Sequence, residues 1–293
     1  MSFQEFYGLE GQPFSNAPDN RFYFNSGQHE QALLRLQYAV DSNKGLSVLI
    51  GDIGTGKTTL ARRMLDSLSE QDYESALLII VHSSITSEWL LKKISAQLGV
   101  KRPASNKVEL LGQLYERLTE IHGEGRKPVV LIDEAQMLNS RELMEEFRGL
   151  LNMENANGKL LSFVFFGMPA LNHCLTLDPP LNQRVAVKFK LKCLDPDAVH
   201  DYILHRLRVV GCERDLFTPD AYRAIQAYSQ GIPRLINTIC DNALFEGFLL
   251  KSDIIATDLI DEVAKDLDLE RRHCHILNEA EDEVEQLVEQ LGQ

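Results

Sequence analysis

No stretch of this 293-residue sequence approaches the roughly 18 consecutive apolar residues that a membrane-spanning helix needs. Its longest apolar runs, Ala76–Val81 and Val129–Ile132, have the length of buried strands. A signal peptide is missing as well, since Met1-Ser2-Phe3-Gln4-Glu5 offers neither a basic start nor an apolar stretch, and a cytoplasmic chain is expected. There is no CxxC pair. Five scattered cysteines (Cys174, Cys193, Cys212, Cys240, Cys274) in a leaderless chain fit reduced thiols rather than a disulfide framework. His273-Cys274-His275 cannot easily converge on one metal, because adjacent residues on a helix diverge. Finally, the chain lacks basic excess: its net charge of −13 disfavours a sequence-independent nucleic-acid binder, although one basic face would still admit DNA.

What is present is ordered along the chain. Aromatic and turn-forming residues open it (Phe3, Phe6, Tyr7, Pro13, Phe14, Pro18-Asp19, Phe22-Tyr23-Phe24), and an amphipathic helix follows over His29–Val40. Strands are expected at Leu46–Ile50, Ser75–Val81, Val129–Ile132 and Leu160–Phe166, alternating with helices at Thr58–Ser69, Ser87–Leu98, Val108–His122 and Ser140–Asn152. Continuously apolar strands between helices predict a parallel sheet covered on both faces. Beyond about residue 190 strand signals disappear, and Asp195–Val210, Thr218–Ser229, Pro233–Leu250 and Ala256–Leu267 carry helical periodicity. The expected division is an α/β core over 1–190 with a lead-in at 1–44, a helical subdomain over 191–268, and an acidic helix over 269–293. In that last helix Leu277, Ala280, Val284, Leu287 and Leu291 form about two heptads, fitting a docking helix or self-association equally.

Gly51-Asp52-Ile53-Gly54-Thr55-Gly56-Lys57-Thr58 fits GxxxxGK[ST] at every fixed position, after an apolar strand and at the start of a helix. Such a loop wraps a phosphate with inward-pointing backbone N–H groups, so Gly51, Ile53, Gly54, Thr55, Gly56, Lys57, Thr58 and Thr59 are candidate ATP-binding residues. Lys57 is expected at the β- and γ-phosphates, and the Thr58 hydroxyl on Mg²⁺. Val129–Ile132 ends in two carboxylates, Asp133 suited to hold the magnesium and Glu134 to polarise the attacking water. Arg184 and Arg234 stand where a cation could meet transition-state charge, or could simply be surface ion-pairing residues.

These segments, with Phe6-Tyr7-Gly8-Leu9, Pro13-Phe14, Phe24, Leu131–Gln136, Gly167-Met168-Pro169, Gln183-Arg184-Val185 and Gly231-Ile232-Pro233-Arg234-Leu235-Ile236-Asn237, resemble the AAA+ ATPases of the ExeA/GspA kind. Relatives of that family serve type II secretion, MSHA-type pilus biogenesis and exopolysaccharide export. The resemblance covers about residues 3–268. It implies a P-loop NTPase αβα sandwich with a C-terminal all-helical lid, ATP and Mg²⁺ as cofactors, and a homo-oligomeric ring or filament. It also implies an envelope-machinery partner and a place in the cytoplasm or peripheral to the inner membrane. By the same resemblance Arg184 is an arginine finger reaching a neighbouring subunit, Arg234 is the sensor-2 residue, and the lead-in around Pro13 and Phe14 packs near adenine. Two departures stand out. Met168 occupies the sensor-1 position, usually polar, so either hydrolysis is slow or another polar group substitutes. No transmembrane helix or cell-wall module follows the core here, so peptidoglycan binding is not carried over. A DNA-associated regulator of the TniB type shares much of this pattern, and a nucleotide-gated scaffold with little turnover is the third alternative.

Overall fold

The computed structural model describes residues 2–17, 19–156 and 158–271. Pro18, the His273-Cys274-His275 cluster and the heptad stripe lie outside the described residues. In chain order the elements are α1 (Phe3–Tyr7), α2 (Gly27–Asp41), β1 (Leu46–Gly51), α3 (Lys57–Ser67), β2 (Tyr73–Ile79), α4 (Ser87–Gln97) and α5 (Lys107–Gly123). Next come β3 (Lys127–Asp133), α6 (Arg141–Leu150), the two-residue strands β4 (Glu154–Asn155) and β5 (Gly158–Lys159), and β6 (Ser162–Gly167). Then follow α7 (Leu171–Thr176), α8 (Pro179–Asn182), β7 (Val185–Leu191), α9 (Pro196–Val209), α10 (Pro219–Ser229), α11 (Pro233–Leu249) and α12 (Thr257–Asp266).

Residues 25–192 form one compact unit around a five-stranded sheet of order β2-β3-β6-β1-β7, parallel throughout. β1 and β6 are buried along their whole length, as their predominantly apolar sequences require. Alternate side chains (Val48, Ile50, Val130, Ile132, Phe163, Phe165) join one core with α4, α5, α6 and α7, while α2 and α3 pack against the sheet from its other side. Phe147 of α6 meets Phe163 and Phe165 edge-on, with ring centroids 5.0 and 4.8 Å away.

β7 was not among the expected strands. It pairs with β1 at the sheet's edge, where Ala186, Lys188 and Lys190 are exposed and the intervening residues half-buried. An edge strand with one face in water carries no continuous apolar run, so Val185–Leu191 reads in sequence as a charged alternation. Arg184 therefore immediately precedes the last strand of the sheet.

The second compact unit joins the described residues up to Phe24 with those from Cys193 onward. This corrects the expectation that the whole lead-in belongs with the α/β core: only from Asn25 does the chain join the sheet. The reason is aromatic burial. Tyr7 and Phe14 are core residues of the helical unit, and Phe3, Phe6, Phe22 and Phe24 pack against that core. The Phe14 ring, expected near adenine, is enclosed there and meets Phe217 at 6.3 Å. Helix starts follow local chemistry: Asp195 and Thr218 each cap a helix whose first residue is proline. Gly231, at φ +71°, packs so closely on Leu194 that a Cβ would stand 2.0 Å from the Leu194 carbonyl oxygen, which is why the Gly-Ile-Pro turn opening α11 needs glycine.

Arg206 of α9 binds the lead-in to this unit. It is 5% exposed, donates through Nε to the Pro13 carbonyl at 2.5 Å and through Nη2 to the Ser15 carbonyl at 2.8 Å, and lies 4.6 Å from the Phe22 ring centroid. Its Nη1 donates to Tyr202 Oη, which donates to Asn237, whose amide in turn reaches Asn16. Removing the guanidinium leaves the buried Pro13 carbonyl and the part-buried Ser15 carbonyl without donors, so Arg206→Ala is expected to lower unfolding free energy by roughly 2–5 kcal/mol. Denaturant melts check this, and a change below about 0.5 kcal/mol contradicts the account.

Candidate nucleotide site

β1 delivers Gly51 at its carboxyl end, and β3 delivers Asp133 and Glu134 at its own. Between them runs β6, so the two loops stand about 10 Å apart, two strand spacings. Register pairs Ile50 with Gly167 and Ile132 with Phe165, so Gly51, Met168 and Glu134 leave the sheet at one edge. The phosphate-loop motif and the Asp133-Glu134 pair are thus brought to one end of the sheet, with Met168 between them.

The loop from Gly51 to Gly56 is closed on itself. Thr55 Oγ1 donates to the Asp52 carbonyl at 2.9 Å, and Lys57 Nζ, largely buried, donates to the same oxygen at 2.8 Å. A Cβ on residue 51 would stand 2.8 Å from Thr55 Oγ1. Gly56, at φ +101°, opens α3 without a side-chain cap, which leaves the N–H groups of the first turn for an anion.

His29 was missed by sequence reasoning. Buried in α2, it meets Ser26 Oγ through Nδ1 at 2.6 Å, and its ring hydrogen-bonds to the Thr55 backbone. Its Nε2 lies 3.0 Å from where a Gly56 Cβ would be, so the imidazole stands directly behind the loop. Burial holds the imidazole below its usual pKa, the Thr55 bond partly opposing this, and favours the neutral ring. A lone histidine on an amphipathic helix gives no sign of this in the sequence.

Asp133 is 1% exposed. Its Oδ1 accepts the Glu134 N–H at 2.9 Å, and its Oδ2 has no hydrogen-bond partner among the described residues. Burial raises its pKa above the usual carboxylate value. The Thr58 hydroxyl, the Glu134 N–H and the Lys57 charge oppose that shift, and the Glu134 charge adds to it. A buried oxygen without a partner beside a threonine hydroxyl is a hard-oxygen donor set that fits Mg²⁺. Glu134 follows in left-handed backbone, φ 56°, a conformation that costs a non-glycine residue about 1 kcal/mol. Its Oε2 accepts from Gln136 Nε2 at 2.6 Å.

Arg184 lies away from this end of the sheet. It stands at the amino-terminal edge of the sheet, where Nη1 donates to Asn152 Oδ1 at 2.5 Å and to the Arg148 carbonyl at 3.3 Å. The length of β1, roughly 20 Å, separates that edge from the P-loop. Arg234 is exposed in the first turn of α11, in the helical unit.

A family model described as "AAA domain" matches residues 40–175, which span both phosphate-site motifs. General secretion pathway protein A of Aeromonas hydrophila is 36% identical over 249 residues, covering 84% of this chain and 45% of that protein. The chain is an AAA-type P-loop protein related to general secretion pathway protein A. It spans about half the length of that relative. Its fold matches Cdc6p of Pyrobaculum aerophilum with a TM-score of 0.67 (19% identity, 87% of this chain and 70% of that one). The Orc2 protein of Aeropyrum pernix gives 0.64 (17% identity, 88% and 72%). Likeness at these identities fixes the AAA architecture and leaves activity to the site.

Asp133 gives a test with a definite sign. Its folded-state pKa lies above the ordinary value, so the stability attached to its proton is present below about 3.9 and lost as pH rises through the folded value. At neutral pH the ionised carboxylate therefore destabilises the nucleotide-free chain. Asp133→Asn is expected to raise its Tm at pH 7 by about 2 °C or more, with the gain narrowing as pH is lowered. Thermal melts without nucleotide check this, and a lower Tm at pH 7 contradicts it.

Proposed function

We propose that this chain binds ATP with Mg²⁺ and hydrolyses it, and that nucleotide-dependent association of its copies drives or regulates a secretion, pilus or exopolysaccharide apparatus of the envelope. The buried Asp133 carboxylate, with the Thr58 hydroxyl and Lys57 charge beside it and its Oδ2 unsatisfied among the described residues, carries this reading, because it is an arrangement of little use to an empty fold and of direct use to a metal-bound phosphate. Gly51, Ile53, Gly54, Thr55, Gly56, Lys57, Thr58 and Thr59 take the phosphates, through backbone N–H groups, the α3 N-terminus and the Lys57 ammonium. Thr58 and Asp133 are the residues that would hold a magnesium ion, which would offset the phosphate charge. Glu134 accepts a proton from the attacking water.

Arg184 is the arginine finger. Because a strand's length separates it from its own P-loop, it acts on the site of a neighbouring copy, which makes the active species a homo-oligomer. Arg234 is the sensor arginine of the helical unit, its exposed guanidinium free of ion pairs among the described residues. On this reading the sheet unit is the catalytic core and the helical unit its lid. The secretion role rests on the relative's name and the shared sequence, and the cytoplasmic face of the inner membrane is the corresponding location. Among the described residues no helix is long and apolar enough to cross a membrane.

Three substitutions test the reading. Lys57→Ala is expected to abolish binding of a fluorescent ATP analogue. Glu134→Gln is expected to bind it normally while kcat falls roughly 10²–10⁴-fold. Arg184→Ala is expected to bind as well, to lose roughly 10³-fold or more in turnover, and to stay small by light scattering when ATP is added. Full turnover by Glu134→Gln sinks the hydrolase reading. ATP-driven assembly that survives Arg184→Ala sinks the shared site.

A further inference from the structure

Gln136 lies in the single turn of 3₁₀ helix, Ala135–Met137, that follows Glu134, and it is buried. Both ends of its side-chain amide are engaged. Oε1 accepts the backbone N–H of Met168 at 3.0 Å, and Nε2 donates to Glu134 Oε2 at 2.6 Å. The chemistry forces this orientation, since a backbone N–H can only donate and an ionised carboxylate can only accept. Turning the amide over would oppose donor to donor and acceptor to acceptor.

The surroundings fit the amide closely. A Cβ on Gly167 would stand 3.0 Å from Gln136 Oε1, so the end of β6 is cut back where the amide passes. The Gln136 carbonyl accepts the buried Cys174 thiol of α7 at 3.4 Å, which pins the backbone of the same turn. Glu134, by contrast, sits in left-handed backbone at the mouth of that turn, and Gln136 is the side chain that its carboxylate meets. With Oε2 held, Oε1 remains to accept a proton.

We infer that Gln136 is a positioning residue that orients the Glu134 carboxylate and ties it to the end of β6 through the Met168 backbone. The inference rests on Glu134 acting as the base. It also resolves the apolar residue at 168: the polar link there runs through a main-chain N–H and the Gln136 amide, so the Met168 side chain is a bystander.

The test uses the full chain with ATP and Mg²⁺, reading kcat, KM, affinity for a fluorescent ATP analogue, and Tm. Gln136→Glu keeps the shape and an acceptor for Met168 but removes the donor, and Gln136→Leu removes both ends. Each is expected to lower kcat roughly 10- to 100-fold, with analogue affinity and KM within about 3-fold of the unchanged chain. Met168→Leu is expected to leave kcat within about 2-fold. In a Glu134→Gln background, adding Gln136→Leu should change residual turnover by less than about 2-fold, because the group it positions is already gone. Unchanged kcat in Gln136→Glu overturns the inference. So does a loss of equal size in the Glu134→Gln background, or a loss of affinity in step with kcat, which marks a merely structural role. An unaltered chain that binds the analogue and splits no ATP refutes the hydrolase reading itself, an outcome distinct from these.

Discussion

Asp133 is a carboxylate enclosed at the end of a strand whose preceding side chains, from Pro128 to Ile132, are buried and apolar, and its neighbours are arranged around that burial. One oxygen is satisfied by the next residue's N–H, and the other is not satisfied within the described chain. Thr58 and Lys57, from the helix that follows β1, favour the anion, yet burial still prevails and raises the carboxyl's pKa. A strand of Val, Leu and Ile residues makes such a site possible because it excludes water, and low local polarity strengthens whatever cation is finally offered. On the proposed reading, ground-state stability and ligand affinity are opposed here.

The chain order of strands is what brings these groups to one place. β6, late in sequence, inserts between β1 and β3, and their common register sets three carboxyl ends at one edge. Phosphate-binding loop, acidic pair and β6 terminus are each local in sequence, whereas their proximity arises only from the sheet. The second unit is built on a different principle. Aromatic residues from the first 24 positions fill a helical core, and one buried arginine supplies the hydrogen bonds that the lead-in's carbonyls need.

How much of this was legible follows from that distinction. Gly51–Thr58 and Asp133-Glu134 were readable because their spacing and flanking apolar strand are written consecutively. The four C-terminal helices were readable from their helical periodicity, and three of them also open on proline at Pro196, Pro219 and Pro233. β7 was not, because its pairing with β1 depends on an edge position that alternation alone does not announce. The lead-in's allegiance was misjudged, since Phe14 and Tyr7 find partners some 200 residues downstream in Phe217 and Ser252. His29 escaped notice and Gln136, quoted only as the end of Leu131–Gln136, was given no role for the same reason: each makes contacts, with Thr55 and Met168, that no local pattern encodes.

β7 has one more consequence. A strand with an unpaired side is an invitation to continue a sheet from one molecule into the next. Here that border carries Lys188 and Lys190 on an exposed strand, and lysines so placed discourage such fusion. Copies of the chain that meet near Arg184 would then meet through side chains and loops, keeping their sheets separate. Subunits joined in that fashion can part without breaking main-chain ladders, which would suit the reversible association proposed above.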